Sequence, residues 1–316
     1  MLAEDKLETH EIVVEPEEVK AQPDGWKKIS EERASQLDWV AGNYLQADET
    51  SIRYLDPDVK GKSQQSYLWA YSRPGGDVLF EWQVSRAREG PENFLKCFRG
   101  KLQTDGYAAY ESLAKERDGL ILVGCWAHCR RGFHEALAES KLAAWFVRQI
   151  GLLYGVEKEL RWKKAGPRLR AAVRAWQSRP VLQRLHWAME LVRRRALPQG
   201  LPGQAIDYAL KRGEALNRFV DDGILGIDTN SIENSIRPSA LGKKNWLFIG
   251  HPTAGERSAV IYTLLGSCRR HEINPFEYLK DLFMRLPAAR ITEIKEFTPA
   301  AWAKAKTKHD LTAQAA

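Results

Sequence analysis

The sequence predicts a mixed α/β fold, and three observations carry the prediction. Three strand-like runs fall within residues 43–82, the last two joined by Arg73-Pro74-Gly75-Gly76, a strong hairpin signal. Helical and strand patterns then alternate. From His128 to about Phe219 the pattern is helical throughout.

Taken in order, the first 25 residues are acidic, carry Pro16 and Pro23 and show little periodicity, so they read as a poorly ordered lead-in. Asn43-Tyr44-Leu45-Gln46-Ala47-Asp48 reads as the first strand. Asp56-Pro57-Asp58 followed by Lys60-Gly61-Lys62 reads as a turn. Ser66–Tyr71 and Asp77–Trp82 are the next two strands. Pro91 opens a helix with Phe94 and Phe98 on one face beside Leu95. Gly100–Asp105 is a short strand, Tyr107–Lys115 a helix and Leu120–Trp126 a further strand. The helical stretch that follows is punctuated at Gly151, Gly166-Pro167, Arg179-Pro180 and Pro198–Gly203. Its Trp145, Trp162, Trp176 and Trp187 are read as packing helices together. Asp228-Thr229-Asn230 begins a helix that Pro238 should stop. Arg257–Leu286 gives two more helices, broken at Asn274-Pro275. Strand-strand-strand-helix-strand-helix-strand followed by helices is the order of a ribonuclease-H-like mixed sheet with flanking helices and a helical insertion before the last one.

At 316 residues, with 44% hydrophobic and 28% charged content, the chain can bury a sizeable core. No apolar run is long enough to cross a bilayer, and the N-terminus has no signal pattern, so a cytoplasmic protein is expected. The four cysteines are too few and scattered for a disulfide framework. Cys125 and Cys129 flank His128, but no second ligand pair at zinc spacing follows, so they are read as buried thiols at a strand end. The net charge of +7 hides an asymmetry. Residues 1–40 carry five Lys/Arg against eleven Asp/Glu, whereas 141–203 carry fourteen Lys/Arg against three Glu, a local +11. A basic block without acidic partners binds polyanions by releasing counterions, and nucleic acid is the usual partner.

Three acids at apolar-to-polar boundaries suggest the chemistry. Asp48 stands in Gln46-Ala47-Asp48-Glu49-Thr50, Asp105 in Leu102-Gln103-Thr104-Asp105-Gly106-Tyr107, and Glu233 in Asn230-Ser231-Ile232-Glu233-Asn234-Ser235-Ile236-Arg237-Pro238. Carboxylates gathered at such ends can hold two divalent cations, which stabilise the attacking and leaving oxygens of a phosphodiester. Each acid has a plainer reading. Strand alternation puts Asp48 and Glu49 on opposite faces, so Glu49 is the alternative ligand. Asp105-Gly106 is a common turn pair. Asn230 with Glu233 reads as an N-cap with a capping-box acid.

These words, with Trp126-Ala127-His128-Cys129-Arg130-Arg131, Gly242-Lys243-Lys244-Asn245-Trp246-Leu247-Phe248 and Asn274-Pro275-Phe276-Glu277-Tyr278-Leu279, closely resemble the insertion sequence 66 family of DDE transposases over residues 43–287. The resemblance implies a transposase that hydrolyses phosphodiesters and transfers strands. Asp48, Asp105 and Glu233 match the family's catalytic, metal-binding acids, with two Mg²⁺ (or Mn²⁺) ions. It implies double-stranded DNA as partner, both element ends and target, a homo-oligomer on DNA and room for accessory element-encoded proteins. Residues suited to phosphate or to supporting the acids are His128, Arg130, Arg131, Arg193, Arg194, Arg195, Arg237, Lys243 and Lys244. Arg237 also suits an ion pair with Glu233 four residues earlier. Trp246 joins the two lysines in a basic-aromatic cluster, although Trp246-Leu247-Phe248 fits a core equally well.

The expected division is an acidic segment over 1–42, a catalytic domain begun at 43–140, a basic helical insertion over 141–225, the catalytic domain completed over 226–265, and a C-terminal helical segment over 266–316. Residues 8–43 resemble a piece of the family's zinc-binding region without its cysteines, so most of the DNA-end reader looks deleted. Two other readings compete: a catalytically idle DNA-binding remnant and a ribonuclease-H-like nuclease without strand transfer.

Overall fold

A computed structural model describes residues 43–59 and 61–314, with side chains as far as residue 307, and these belong to one compact unit. The acidic segment over 1–42 and Lys60 lie outside the described residues. The first element of the described residues is strand β1, Tyr44–Leu55. It is twice the expected length. Its parallel partner ends at Gln46, but antiparallel pairing continues to Leu55 and keeps the chain extended. Asp48 therefore lies inside a strand, just beyond its parallel pairing with the strand Gly100–Gln103, and not at a strand end. Strands β2 (Ser63–Ser72) and β3 (Val78–Gln83) follow. Their turn closes with the Gly76 N–H donating to the Arg73 carbonyl at 2.9 Å, and Gly75 adopts φ +79°.

Helix α1 (Glu89–Phe94) is shorter than expected, and Leu95 and Phe98 enter the core from the loop after it. Strand β4 (Gly100–Gln103), helix α2 (Ala108–Glu116) and strand β5 (Leu120–Val123) complete the alternation. Among the described residues the sheet has six strands. Its order is β3-β2-β1-β4-β5, with the short β6 (Phe248–Ile249) pairing with the far end of β1. β1 is antiparallel to β2 and parallel to β4, and β5 continues the parallel half. β1 sorts its side chains by alternation. Leu45 and Ala47 pack with Trp69, Tyr71, Leu102, Tyr110 and Leu113 on one face. Ile52 and Tyr54 pack with Leu68, Ala70, Phe80 and Trp82 on the other.

Trp126 does not extend β5 but starts helix α3, Trp126–Glu135. Its backbone N–H bonds the Ile227 carbonyl and its indole N–H the Leu216 carbonyl, which pulls the chain away from the sheet. Residues 141–225 hold helices and no strand: α4 (Lys141–Trp162), α5 (Pro167–Val173), a π-turn over Arg174–Ser178, α6 (Arg179–Arg193), α7 (Leu201–Lys211) and α8 (Gly213–Asn217). Gly151 does not interrupt α4. Pro180 does not break the run either, because it sits in the first turn of α6 where no backbone donor is needed.

The tryptophan expectation holds only for Trp145, which packs on the helical core. Trp162, Trp176 and Trp187 are 82%, 77% and 78% exposed. Phe146, Ile150 and Leu153 of α4 and Leu182, Leu185 and Met189 of α6 fill the buried face instead.

Helix α9 spans Asn230–Trp246 and contains Pro238 rather than stopping there. Proline leaves only the carbonyl four residues earlier without its donor, and Ile232 and Ile236 hold the helix on the sheet around it. Leu247, at φ +66°, ends α9. Trp246, Leu247 and Phe248 are 38%, 62% and 42% exposed, so the core reading fails for them. Helices α10 (Pro252–Arg270), α11 (Pro275–Arg285, with Asn274 accepting from the Phe276 N–H) and α12 (Pro299–Gln314) finish the chain.

Candidate active site

Asp48 projects from the β1 face that α9 covers, the face of Gln46, Ile52 and Tyr54. Its carboxyl accepts the Glu49 backbone N–H at 2.8 Å. Burial raises its pKa to about 8, and the charges of Glu49, Asp105 and Glu233 push in the same direction. Both of the other acids named from the sequence thus act on Asp48. Glu49 faces the other side. There Arg86 Nε donates to it at 2.9 Å, and Arg86 lies 4.2 Å from the centre of the Tyr107 ring. The alternative ligand is thereby tied to an arginine, whereas among the described residues no Lys or Arg forms an ion pair with Asp48 or Asp105.

Asp105 follows the end of β4. Its carboxylate accepts the Tyr107 N–H at 3.0 Å, and Tyr208 of α7 donates to its carbonyl at 2.5 Å. Gly106 takes φ +94°, and a Cβ there would meet the Arg212 guanidinium, so the turn requires glycine. Glu233 lies one turn into α9. It forms no capping box: Thr229 is the N-cap residue, and the Glu233 carboxylate turns toward α3. His128 Nδ1 lies 3.5 Å from Oε1, Arg131 lies 3.9 Å from Oε2, and the Thr229 hydroxyl donates to Oε1 at 3.4 Å. Arg237 is exposed and forms no ion pair with Glu233.

Two buried glutamines, each two residues before an acid, join the three elements. Gln46 and Gln103 are register partners on β1 and β4. Gln46 Nε2 donates to Gln103 Oε1 at 2.8 Å and to the Asp228 carbonyl at 3.0 Å. Gln103 Nε2 donates to the carbonyls of Gly124 and Gly226 at 3.0 and 2.9 Å. The Tyr44 hydroxyl bonds Gln103 Oε1 and accepts from the Gly226 N–H. One network thus sets β1, β4 and the loop into α9 in mutual register. Sequence reasoning missed it. The available signal was a polar residue at an inward strand position beside each aspartate.

Arg174 is a second anchor. It is fully buried, pairs with Glu157 and donates to the carbonyls of Phe219, Asp222 and Leu225. Much of the basic charge assumed free is likewise engaged: Arg170 pairs with Glu157, Arg179 with Asp221 and Arg193 with Asp207. Of the arginine trio, Arg194 and Arg195 remain exposed. Lys243 donates to the Ser51 carbonyl at 2.7 Å and to Thr50, so it ties α9 to β1, while Lys244 is exposed. Arg130 and Arg131 line a cleft of about 590 Å³ with Gly151, Tyr154 and Asn230, beside Glu233.

A model of the transposase IS66 family matches residues 33–257, and one of the IS66 C-terminal element matches residues 263–300. The chain belongs to the IS66 transposase family. Similar proteins include two of Sinorhizobium fredii (strain NBRC 101917 / NGR234), both described as uncharacterized. The protein y4qI is 34% identical over 79% of this chain and 50% of its own length, and y4jD is 32% identical over 85% and 55%. This IS66-family chain spans about half the length of these relatives. No solved structure matches it. Among its described residues, no helix is long and apolar enough to cross a membrane.

Proposed function

We propose that this chain carries the catalytic centre of a DNA transposase, cutting and joining phosphodiesters at Asp48, Asp105 and Glu233. The observation that carries the reading is the setting of Asp48, on the β1 face that α9 covers, with no Lys or Arg pairing with it among the described residues. A buried carboxyl raised to about 8 beside three other acids, with no cationic partner, is a site built for a cation. The donor set fits the metal the family implies, because carboxylate oxygens suit Mg²⁺ and Mn²⁺. Asp48, Asp105 and Glu233 would hold it. When bound, the metal would supply a Lewis acid for the scissile phosphate and lower the pKa of an attacking water.

The protein's own residues do the rest. The Gln46–Gln103 network fixes the spacing of the acids before any ion arrives, so less ordering is left to binding. Arg131 and His128 orient Glu233. Arg130 and the outer face of Arg131 offer charge to a DNA phosphate at the cleft. Strand order β3-β2-β1-β4-β5, with the parallel half beyond β1, supports the ribonuclease-H-like reading. The helices over 141–225 are read as an insertion between the second and third acids. Double-stranded DNA, at element ends and at target, is the proposed substrate, and a homo-oligomer the proposed working form.

The test is nicking of a labelled duplex carrying the element's ends. Product that requires Mg²⁺ or Mn²⁺ and is lost in Asp105→Asn supports the proposal. Equal product from the variant would refute it.

A further inference from the structure

A second cluster of donors stands beside the three acids, and its chemistry differs. Cys125 caps the start of α3, and His128 follows one turn later. Cys125 Sγ lies 3.3 Å from His128 Nδ1, which lies 3.5 Å from Glu233 Oε1. One donor atom from each of the three falls within 4.8 Å of the other two. Around a tetrahedral Zn²⁺, with Zn–S near 2.3 Å and Zn–N or Zn–O near 2.0–2.1 Å, neighbouring donors stand about 3.3–3.6 Å apart. The two measured separations are already edges of such a tetrahedron. The sequence spacing supplies only the first two donors; the third comes from α9, far along the chain.

The surroundings suit the role. Thr229 donates to Cys125 Sγ from its N–H at 3.4 Å and its hydroxyl at 3.2 Å, and the same hydroxyl reaches Glu233 Oε1 at 3.4 Å. A single residue therefore orients two of the three ligands from outside, as outer-sphere partners of zinc sites do. His128 and Glu233 keep 20% and 27% of their side-chain surface, so the cluster is not sealed from solvent.

We propose that Cys125, His128 and Glu233 form a three-ligand site for Zn²⁺, with a fourth position open to water. A thiolate and an imidazole beside a carboxylate select zinc over Mg²⁺, which does not take sulfur. On binding, aqueous zinc takes up the thiolate, the imidazole nitrogen and the carboxylate oxygen, releases all but one of its waters, and the thiol proton goes to solvent. Glu233 is shared with the proposed Mg²⁺ centre, but the zinc site stands on its own donor set. Its test contains no DNA, so its failure and the failure of the cleavage reading are distinguishable.

The experiment titrates the reduced, metal-stripped full chain with Co²⁺ as a spectroscopic probe and then with Zn²⁺. The expected result is one equivalent of Co²⁺ giving a thiolate-to-cobalt charge-transfer band, bleached by one equivalent of Zn²⁺ and unmoved by excess Mg²⁺. Cys125→Ser should abolish the band, and His128→Ala and Glu233→Gln should each weaken zinc binding at least ~10-fold. Cys129→Ser and Cys97→Ser should leave both unchanged. The wild-type spectrum already decides the matter if a variant fails to fold. Absence of the band in wild type, or a band that disappears with the exposed Cys97 instead, overturns the proposal.

Discussion

At the scale of single residues, the buried Asp48 carboxyl makes stability depend on pH. Asp48 titrates near 8 in the folded, metal-free chain, mainly through burial, against about 3.9 when unfolded. The folded state therefore binds this proton more tightly. The stability it contributes is complete below about pH 4 and is lost as pH rises toward 8. Metal-free Asp48→Asn should thus be more stable than wild type at pH 8.5, by on the order of a few kcal/mol, while losing cleavage. Urea melts of both proteins at pH 5 and 8.5 check this, and a difference that does not grow with pH would contradict it. Gln103 gives a second expectation. Gln103→Leu leaves the Gly124 and Gly226 carbonyls without their donor, at about 1–3 kcal/mol per buried orphan. A loss below ~0.5 kcal/mol in the same melts would show that the network does not bear on stability. The three acids are proposed from the sequence because their flanking words are long and distinctive. The glutamines were not legible there, since their partners at Gly226 and Asp228 lie far along the chain and nothing local names them. The donor set of Cys125, His128 and Glu233 was hidden for the same reason.

At the scale of elements, strand and helix order was readable because turn residues and periodicity are local properties. The three-strand opening, the Arg73–Gly76 hairpin and the break at Asn274-Pro275 fall where the residues indicate. The errors lie where packing decides. Pro238 is carried inside α9 because Ile232 and Ile236 are buried around it. Asp48 lies mid-strand because β2 outlasts β4 as a partner of β1. Helical period locates a stripe but not what covers it, so Trp162, Trp176 and Trp187 were assigned to a core that Phe146, Ile150 and Leu185 fill. Their exposure predicts strong acrylamide quenching of the tryptophan emission, reduced for each of Trp162→Phe, Trp176→Phe and Trp187→Phe; quenching unchanged in all three would show the faces to be covered in solution. The buried Arg174–Glu157 pair ties the helical stretch to the loop entering α9. Arg174→Ala, which leaves Glu157 with Arg170 alone and the carbonyls of Phe219, Asp222 and Leu225 without this donor, should cost about 3–5 kcal/mol, read by chemical unfolding.

At the scale of the whole molecule, charge and topology divide the work. The local +11 over residues 141–203 is partly neutralised within the fold, since Asp221 and Asp207 from outside that range pair with Arg179 and Arg193. Non-specific DNA binding should therefore lean on exposed residues such as Arg194 and Arg195. Replacing both with Gln should flatten log K against log salt by about 0.9 for each phosphate no longer neutralised, whereas Arg193→Gln should chiefly alter stability. Equal slopes for all three proteins would place DNA elsewhere. Above these details stands one claim, that β1, the end of β4 and α9 bring three carboxylates to one cation centre. Anomalous diffraction from crystals soaked in Mn²⁺ tests it most directly. Anomalous density is expected within ligand distance of Asp48, Asp105 and Glu233 together, absent from Asp105→Asn. Density that touches a single one of the three, or that lies away from all of them, would contradict it.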